Sequence, residues 1–307
     1  MTMTLGIVGA GAVAHALCAA WAHPSDSDES SAAPGSVDRI MVWARRPEAA
    51  ASVVRLGNGR AVVARDMADL QSCDAVIVAV SDAAIEIVGE LLVEAFAKDG
   101  PLPRAVFHTG GSRTGEDALA GLKTTSAALG SLHPLVAVAG DGPPSPDHFV
   151  GMPFAVESTD PAAVALGRQL VRITGGFELR LPAASTPTEA RREKMRYHAL
   201  ATMVATGVVT LVDRAAASMG SVDSSGSDGT AETEARASFR RAYGALAQSA
   251  VANVLRERGA DVLTGAIARG DDALVEQHLG ALGSDREADL YRAIEIAARE
   301  MLGEDTK

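Results

Sequence analysis

Cysteine, lysine and aromatic side chains are all scarce in this chain of 307 residues. The two cysteines, Cys18 and Cys73, lie far apart and belong to no CxxC or Cys/His ligand spacing. This argues against a disulfide framework and a structural zinc site, and no metal site is predicted. A reducing, cytoplasmic compartment is expected. Aromatic residues make up only 4%, but 47% of the residues are apolar, which excludes disorder as the overall state.

Positive charge is also in short supply. Twenty-eight Lys and Arg against 39 Asp and Glu give a formal net charge of -11, which opposes the approach of a polyanion. A nucleic-acid partner is therefore not expected. No run reaches the roughly 20 uninterrupted apolar residues of a membrane span. The apolar stretch 5–22 lacks a basic flank and contains Gly9, Gly11 and His15, so it predicts a strand, a turn and a helix rather than a signal peptide.

Short β-branched runs alternate with alanine-rich helical stretches over residues 5–136, the pattern of βαβ units. The predicted strands are 5–9, 39–44, 61–64, 75–80, 105–108 and 128–132. A strand at 153–157, a helix at 162–174 and a strand at 177–181 extend the same sheet. The fold class is therefore α/β, with a doubly wound, mainly parallel Rossmann sheet in a first domain over residues 1–182.

The periodicity becomes helical after about Thr188, which predicts an all-helical second domain over residues 189–307. Its first helix, 189–219, is apolar over nearly its whole circumference, as in a helix buried in a bundle or a subunit interface. Two polar segments, 23–37 and 220–234, are predicted as mobile surface loops because they bury too little apolar surface to offset ordering entropy.

A GxGxxA pattern follows the first strand and opens a helix. Its residues are Gly9, Ala10, Gly11, Ala12, Val13 and Ala14. Gly9 permits the tight turn, Gly11 lets backbone amides approach a pyrophosphate, and Ala14 allows close packing of helix on strand. The pattern predicts dinucleotide binding; the alternative is a purely structural glycine turn.

The second strand ends in Arg45 and Arg46, where an NAD-selective domain usually carries an acid that binds the ribose 2′-OH. Two guanidinium groups instead suit a 2′-phosphate. We therefore expect NADP(H) as the cofactor; alternatively, both arginines lie in a solvated loop.

Polar residues follow three neighbouring strands at the edge where the cofactor should lie. Ser81 and Asp82 follow the first of these strands and, with Val80 at its end, are predicted to border the cofactor. His108 and Ser112 follow the next strand, and His133 follows the one after. Histidine suits proton transfer because its ordinary pKa of about 6.5 is near working pH, although single histidines are often structural. Ser112 could polarise a carbonyl or imine, or it could merely cap the helix that begins near Glu116 or close the turn.

The long helix of the second domain begins with Lys194, Tyr197 and His198, and Thr202 and Thr206 continue the four-residue spacing of Lys194 and His198. A polar stripe on an apolar rod indicates a face that meets a wet cleft or makes buried hydrogen bonds. The cleft between the domains is the preferred interpretation. The two threonines could instead bond to their own helix carbonyls, and they are left out of the catalytic set.

Several stretches together resemble a known family. They are GIVGAGAVAHAL, AVIVAVSDAAI, VFHTGGSRTGEDAL, LGSLHPL, PFAVE, KMRYHALA and LTGAIARGD. In this order they resemble the bacterial family that pairs a Rossmann-like domain with the domain of unknown function 2520. That family is similar in architecture to pyrroline-5-carboxylate reductase, prephenate dehydrogenase and coenzyme F420-dependent NADP oxidoreductases. The resemblance implies a helical domain like that of 6-phosphogluconate dehydrogenase and a homodimer through its helices.

The leading hypothesis is an NADP(H)-dependent oxidoreductase acting on a small carbonyl, imine or hydroxy substrate between the domains. The predicted catalytic residues are His108, Ser112, His133, Lys194, Tyr197 and His198, with His133 or His198 as proton donor. The alternative is a non-catalytic NADP(H)-binding sensor or scaffold. It is suggested by Ala205 and Thr206, where the family's helix carries Ser-Asn. The sequence leaves open the substrate, the hydride direction and any deazaflavin co-substrate.

Overall fold

The computed structural model describes residues 2–23, 36–96, 100–138, 144–220 and 229–303. The chain divides into two compact units, Met1–Met203 and Val204–Lys307. The predicted domain boundary between 182 and 189 stays a prediction. Most of the predicted loop at 23–37 lies outside the described residues.

One sheet of eight strands organises the described part of the first unit. The strands are β1 (Met3–Val8), β2 (Val37–Trp43), β3 (Ala61–Val63), β4 (Ala75–Val78), β5 (Ala105–His108), β6 (Ala128–Pro134), β7 (Pro153–Ser158) and β8 (Phe177–Leu179). Their spatial order is β3-β2-β1-β4-β5-β6-β7-β8. All neighbours are parallel except β6 and β7, which are antiparallel. The predicted Rossmann fold class, a mainly parallel sheet followed by helices, is confirmed.

Helices flank the sheet in the first unit and make up the second. They are α1 (Ala12–Ala22), α2 (Pro47–Val54), α3 (Asp82–Phe96), α4 (Gly115–Ala118), α5 (Pro161–Ile173), α6 (Pro187–Gly220), α7 (Gly229–Val254), α8 (Gly259–Val262), α9 (Asp272–Ala281) and α10 (Asp285–Met301). The predicted loop at 220–234 is wrong at both ends, because Gly220 closes α6 and α7 begins at Gly229. Residues 221–228 lie outside the described chain.

Two apolar layers cover the central strands. Every residue of β4 and β5 is buried, as is usual for central strands of a parallel sheet that is covered on both faces. On one side Trp21 of α1 is buried and its indole nitrogen donates to the Leu170 carbonyl of α5 at 3.0 Å. On the other side Ile85 and Leu92 of α3 pack in the second apolar layer. These layers fix the strand ends on which a ligand can bind.

The strand order changes direction between β1 and β4, because β2 lies on one side of β1 and β5 on the far side of β4. In open α/β sheets a ligand binds beyond the carboxyl ends of the strands at such a switch point. The glycine turn follows β1 at this position.

Helix α6 is mostly exposed within the single chain. Met203 is 64% exposed and Val209 is 69% exposed, so the predicted burial in a bundle is not seen and the subunit-interface interpretation remains. By length and composition alone α6 could cross a membrane. Apolar helices of soluble proteins pass the same criterion.

Candidate active site

The glycine turn between β1 and α1 has a backbone shape that only glycine fits easily. Gly9 has φ +124°, which L side chains rarely adopt, and a Cβ there would overlap the carbonyl oxygen of Ala79. The Gly9 amide donates to the carbonyl of Trp43 at 2.9 Å, which ties the turn to the end of β2. In contrast, apart from Gly11 itself and its two chain neighbours, no heavy atom of the described chain lies within 4 Å of a Cβ built on Gly11.

A cavity of about 380 Å³ opens beside this turn. It is lined by Ala10, Gly11, Ala12, Val13, Ala79, Val80, Ser81 and Thr109. Helix α1 has Gly11 at its N-cap and neither a side-chain cap nor an acid in its first turn. The first amides of a helix lack intrahelical partners and favour an anion. The cavity therefore fits the pyrophosphate of a dinucleotide.

Arg45 and Arg46 lie two and three residues beyond Trp43 and are both exposed. Arg46 is the N-cap residue of α2, whose first residue is Pro47. Neither guanidinium group forms an ion pair with the described parts of the chain.

Ser112 and Asp82 interact directly across two strand ends. The Ser112 hydroxyl donates to Asp82 Oδ2 at 3.1 Å. The N-cap residue of α4 is Thr114, so the suggestion that Ser112 caps this helix is wrong. Ser112 holds the loop after β5 against the start of α3.

His108 is completely buried at the end of β5. Its Nδ1 accepts a hydrogen bond from the Gly110 amide at 3.1 Å. Burial lowers the pKa of His108 from 6.5 to about 4, and the charge of Lys194 acts in the same direction. His108 is therefore neutral near pH 7 and shapes the loop that follows β5.

The neutral state of His108 predicts acid sensitivity. His108 takes up its proton at a higher pH in the unfolded chain than in the folded protein. The stability that neutral His108 contributes is therefore fully present above pH 6.5 and is lost as the pH falls toward 4. The shift corresponds to about 3 kcal/mol of unfolding free energy. In His108→Asn the amide oxygen can still accept from Gly110 but does not titrate. Urea unfolding at neutral pH and near pH 4 should show a smaller loss in the variant; an equal loss would contradict the assignment.

Three aromatic side chains meet beside the loop after β5. His133 Nδ1 and the Tyr197 hydroxyl are 2.9 Å apart. The His133 ring contacts the rings of Tyr197 and His198 edge-on, with centroids 5.7 Å apart in both pairs. A Cβ on Gly111 would overlap both His133 Nε2 and His198 Nδ1. The glycine therefore lets the loop backbone approach the two imidazoles.

The protonation states of this cluster follow from burial. Burial lowers the pKa of His133 to about 4, helped by the nearby Lys194 and His198. Burial also raises the pKa of Tyr197 to about 12. His198 Nδ1 is buried and finds no hydrogen-bond partner among the described residues. A neutral imidazole and a protonated phenol thus share one hydrogen bond beside a ring nitrogen that a ligand could satisfy.

Lys194 is 1% exposed, although it lies near the start of the largely exposed helix α6. Its ammonium donates to Ser131 Oγ at 2.7 Å and lies 5.8 Å from the centre of the Tyr197 ring. Burial lowers the pKa of Lys194 from 10.5 to about 8, while Glu157 opposes the shift. The side chain is thus charged at neutral pH and poised to lose its proton just above it.

The structure brings His133, Lys194, Tyr197 and His198 together within the first compact unit. Thr202 and Thr206 are exposed and lie outside the cluster. Thr109 lines the cavity beside the glycine turn, and Gly111, two residues later, lies against His133 and His198 of the cluster. Ser131 and Glu157 were missed as functional residues. Ser131 had one signal, its place in the polar end of β6, whereas Glu157 comes into contact only through the antiparallel pairing of β6 and β7.

Comparisons with solved structures show a shared fold. A Bacteroides fragilis protein provisionally designated an NADP oxidoreductase is 16% identical, with 97% of this chain and 98% of that chain covered and a TM-score of 0.67. A pyrroline-5-carboxylate reductase from Coxiella burnetii is 13% identical over 100% of both chains, with a TM-score of 0.56. An imine reductase from Myxococcus stipitatus, solved with NADP+, is 18% identical over 98% of this chain and 94% of that chain, with a TM-score of 0.56.

No curated protein matches the sequence significantly. Residues 152–297 match the family described as Domain of unknown function (DUF2520). The resemblance seen in the sequence is thereby confirmed. Over residues 152–297 the chain is thus similar to this family, and it shares a Rossmann-like fold with the solved structures named above.

Proposed function

We propose that this protein is an NADP(H)-dependent oxidoreductase that transfers hydride to or from a small carbonyl, imine or hydroxy substrate. One observation carries the proposal. The loop after β5 borders both the cavity beside the glycine turn and the cluster that contains a buried lysine and an unsatisfied imidazole nitrogen. An anion-binding turn and titratable side chains that meet at one loop suit redox chemistry on a small polar molecule.

The cofactor would be held by backbone and arginine groups. The free amides at the start of α1 would bind the pyrophosphate, and Arg45 and Arg46 would bind the 2′-phosphate. Bound NADP(H) supplies or accepts the hydride. The fold shared with an imine reductase in complex with NADP+ agrees with this cofactor.

Lys194 and His133 would donate or accept the proton that accompanies hydride transfer. The Lys194 ammonium has three N–H groups, one of which donates to Ser131. No other hydrogen bond from it reaches the described chain, and a buried ammonium is costly unless it is well paired. A substrate oxygen or nitrogen would complete its coordination. His133, oriented by Tyr197, would hold or accept a substrate proton at Nε2.

A panel of small aldehydes, keto acids and cyclic imines tests the oxidoreductase proposal. The purified protein is expected to consume NADPH with at least one member of the panel. Tight binding of NADPH with no turnover across the panel, and none in the oxidative direction with hydroxy acids, would contradict the proposal. That outcome would support an NADP(H)-binding sensor or scaffold.

Replacing Arg45 and Arg46 together by alanine should weaken NADPH binding by about ten- to hundredfold. Hydrogen bonds to charged groups contribute about 1.5–3 kcal/mol each. NADH lacks the 2′-phosphate, so its affinity should stay the same. Calorimetric titration of wild type and double variant with both nucleotides measures this, and Arg55→Ala, at the C-cap of α2, is a matched control. An equal loss for both nucleotides would contradict the assignment.

The proposal includes a homodimer through the second unit. Val209 of α6 is 69% exposed, and Leu246 and Leu255 in and after α7 are 65% and 80% exposed. Large exposed apolar side chains on both helices are typical of an interaction surface, and a second copy presents the same side chains by symmetry. Val209→Glu should convert a dimer to a monomer in light scattering, whereas Ile87→Glu on α3 should not. A wild-type monomer would contradict the proposal.

The proposed compartment is the cytoplasm. Cys18 and Cys73 are both free and buried, and burial raises the pKa of each thiol to about 12. Free thiols and an NADP(H) cofactor suit a reducing environment.

A further inference from the structure

A chain of hydrogen bonds leads from the buried Lys194 toward the protein surface. The Lys194 ammonium donates to Ser131 Oγ at 2.7 Å, and the Ser131 hydroxyl donates to Glu157 Oε2 at 3.3 Å. The Gly115 amide donates to the same carboxylate oxygen at 2.9 Å. Ser131 and Glu157 are directly opposite each other in the antiparallel pair of β6 and β7. The strand register therefore fixes both residues.

The three side chains of this hydrogen-bond series differ in burial. Lys194 is 1% exposed and Ser131 is 0% exposed, whereas Glu157 is partly exposed. A lysine enclosed in this way has almost no direct access to solvent water. If it gives a proton to the substrate, it must recover one through another group. Ser131 can do this because a hydroxyl both donates and accepts.

We propose that Ser131 and Glu157 form a proton relay that connects Lys194 to solvent in the oxidoreductase proposed above, on which this inference rests. In the outward direction a proton passes from Lys194 Nζ to Ser131 Oγ as the Ser131 hydroxyl proton passes to Glu157 Oε2. An ammonium and a carboxylate become an amine and a carboxylic acid, so charge and protons balance. Glu157 then exchanges its proton with water, and the reverse sequence recharges Lys194.

The other ionisable groups near Lys194 do not offer the same path. His108 and His133 both feel its charge, and their pKa values of about 4 keep them neutral near pH 7. The pKa of Tyr197 is raised to about 12, so the phenol keeps its proton. Glu157 is the group that favours the charged form of Lys194. Ser131 and Glu157 act through Lys194 and are positioning residues rather than catalytic ones.

Nuclear magnetic resonance of lysine-labelled protein tests the relay without a substrate. The chain has only four lysines, and the Lys194 signal is the one that disappears in Lys194→Arg. Two properties are measured: the pH at which Lys194 titrates and the rate at which its ammonium protons exchange with water. The wild-type Lys194 should titrate below the other three lysines.

Each relay residue has its own expected effect. Glu157→Gln keeps the shape but removes the negative charge, so the titration midpoint of Lys194 should fall by about one pH unit. Ser131→Ala interrupts the path, so proton exchange at Lys194 should slow at least tenfold when compared at equal protonation. Ser158→Ala is the matched control, because Ser158 on the same strand as Glu157 donates to the Leu129 carbonyl. It should change neither property.

Two results would overturn the relay: an unchanged midpoint in Glu157→Gln or an unchanged exchange rate in Ser131→Ala. If alanine at position 131 prevents folding, Ser131→Cys can be measured in its place, because cysteine is close in size to serine and a thiol is a weak donor and acceptor.

NADPH titration of the same variants separates this inference from the proposed function. Neither Ser131 nor Glu157 lines the cofactor cavity, so a failed relay leaves NADPH affinity unchanged. A wild type that does not bind NADPH contradicts the function instead.

Discussion

Gly11→Ala should fold like the wild type and bind NADPH at least tenfold more weakly. Gly11 has φ -79° and ψ 178°, which alanine adopts readily, and nothing in the described chain obstructs a Cβ there. Stability should therefore stay within about 0.5 kcal/mol. The added methyl group would instead occupy the space through which the pyrophosphate must approach the amides of α1.

Gly9→Ala should behave in the opposite way. A positive φ and an overlap with the Ala79 carbonyl should together lower the unfolding free energy by about 3 kcal/mol. Thermal unfolding and calorimetric NADPH titration of both variants separate the two effects. If Gly11→Ala binds NADPH as tightly as the wild type, the pyrophosphate is not held by this turn.

Lys194→Met should reduce turnover of any substrate found in the panel by about 100-fold or more, the usual contribution of a positioned acid or base. The fold should survive, because methionine fills a similar volume and removes the cost of burying an ammonium group. Lys123→Met is the matched control, since Lys123 is an exposed lysine paired with Glu116 at 3.1 Å. Wild-type turnover in Lys194→Met would exclude Lys194 from the chemistry.

Lys194 also predicts how stability depends on pH. Its pKa is about 8 in the folded protein and 10.5 ordinarily, so between these values the unfolded chain binds the extra proton. Wild-type stability from this group should therefore rise by about 3 kcal/mol as the pH increases from 8 to 10.5. The rise should be absent in Lys194→Met when both proteins are unfolded with urea across this range.

The fold was predictable because its signals are local. A buried parallel strand such as β4 is a short β-branched run, and the glycine turn has a fixed spacing. The antiparallel direction of β7 has no comparable signal in the sequence. The exposure of α6 could not be predicted either, because an apolar helix looks the same in sequence whether it is covered by its own chain or by another.

The candidate site was predictable only in part for the same reason. His133, Tyr197 and His198 could be selected as polar residues at a strand end and on a helix. Glu157 could not, because its role depends on the register that places it opposite Ser131. Likewise His108 and His133 look equivalent in sequence. Only the structure distinguishes the ring that supports the loop from the ring that meets Tyr197.

Calorimetric titration of the wild-type protein with NADPH and NADH tests the central claim most directly. The arrangement of Gly11, Arg45 and Arg46 predicts micromolar binding of NADPH, at least tenfold tighter than NADH. Absence of binding by either nucleotide would contradict the assignment of the cavity as a cofactor site, and equal binding of both would contradict the role of the two arginines.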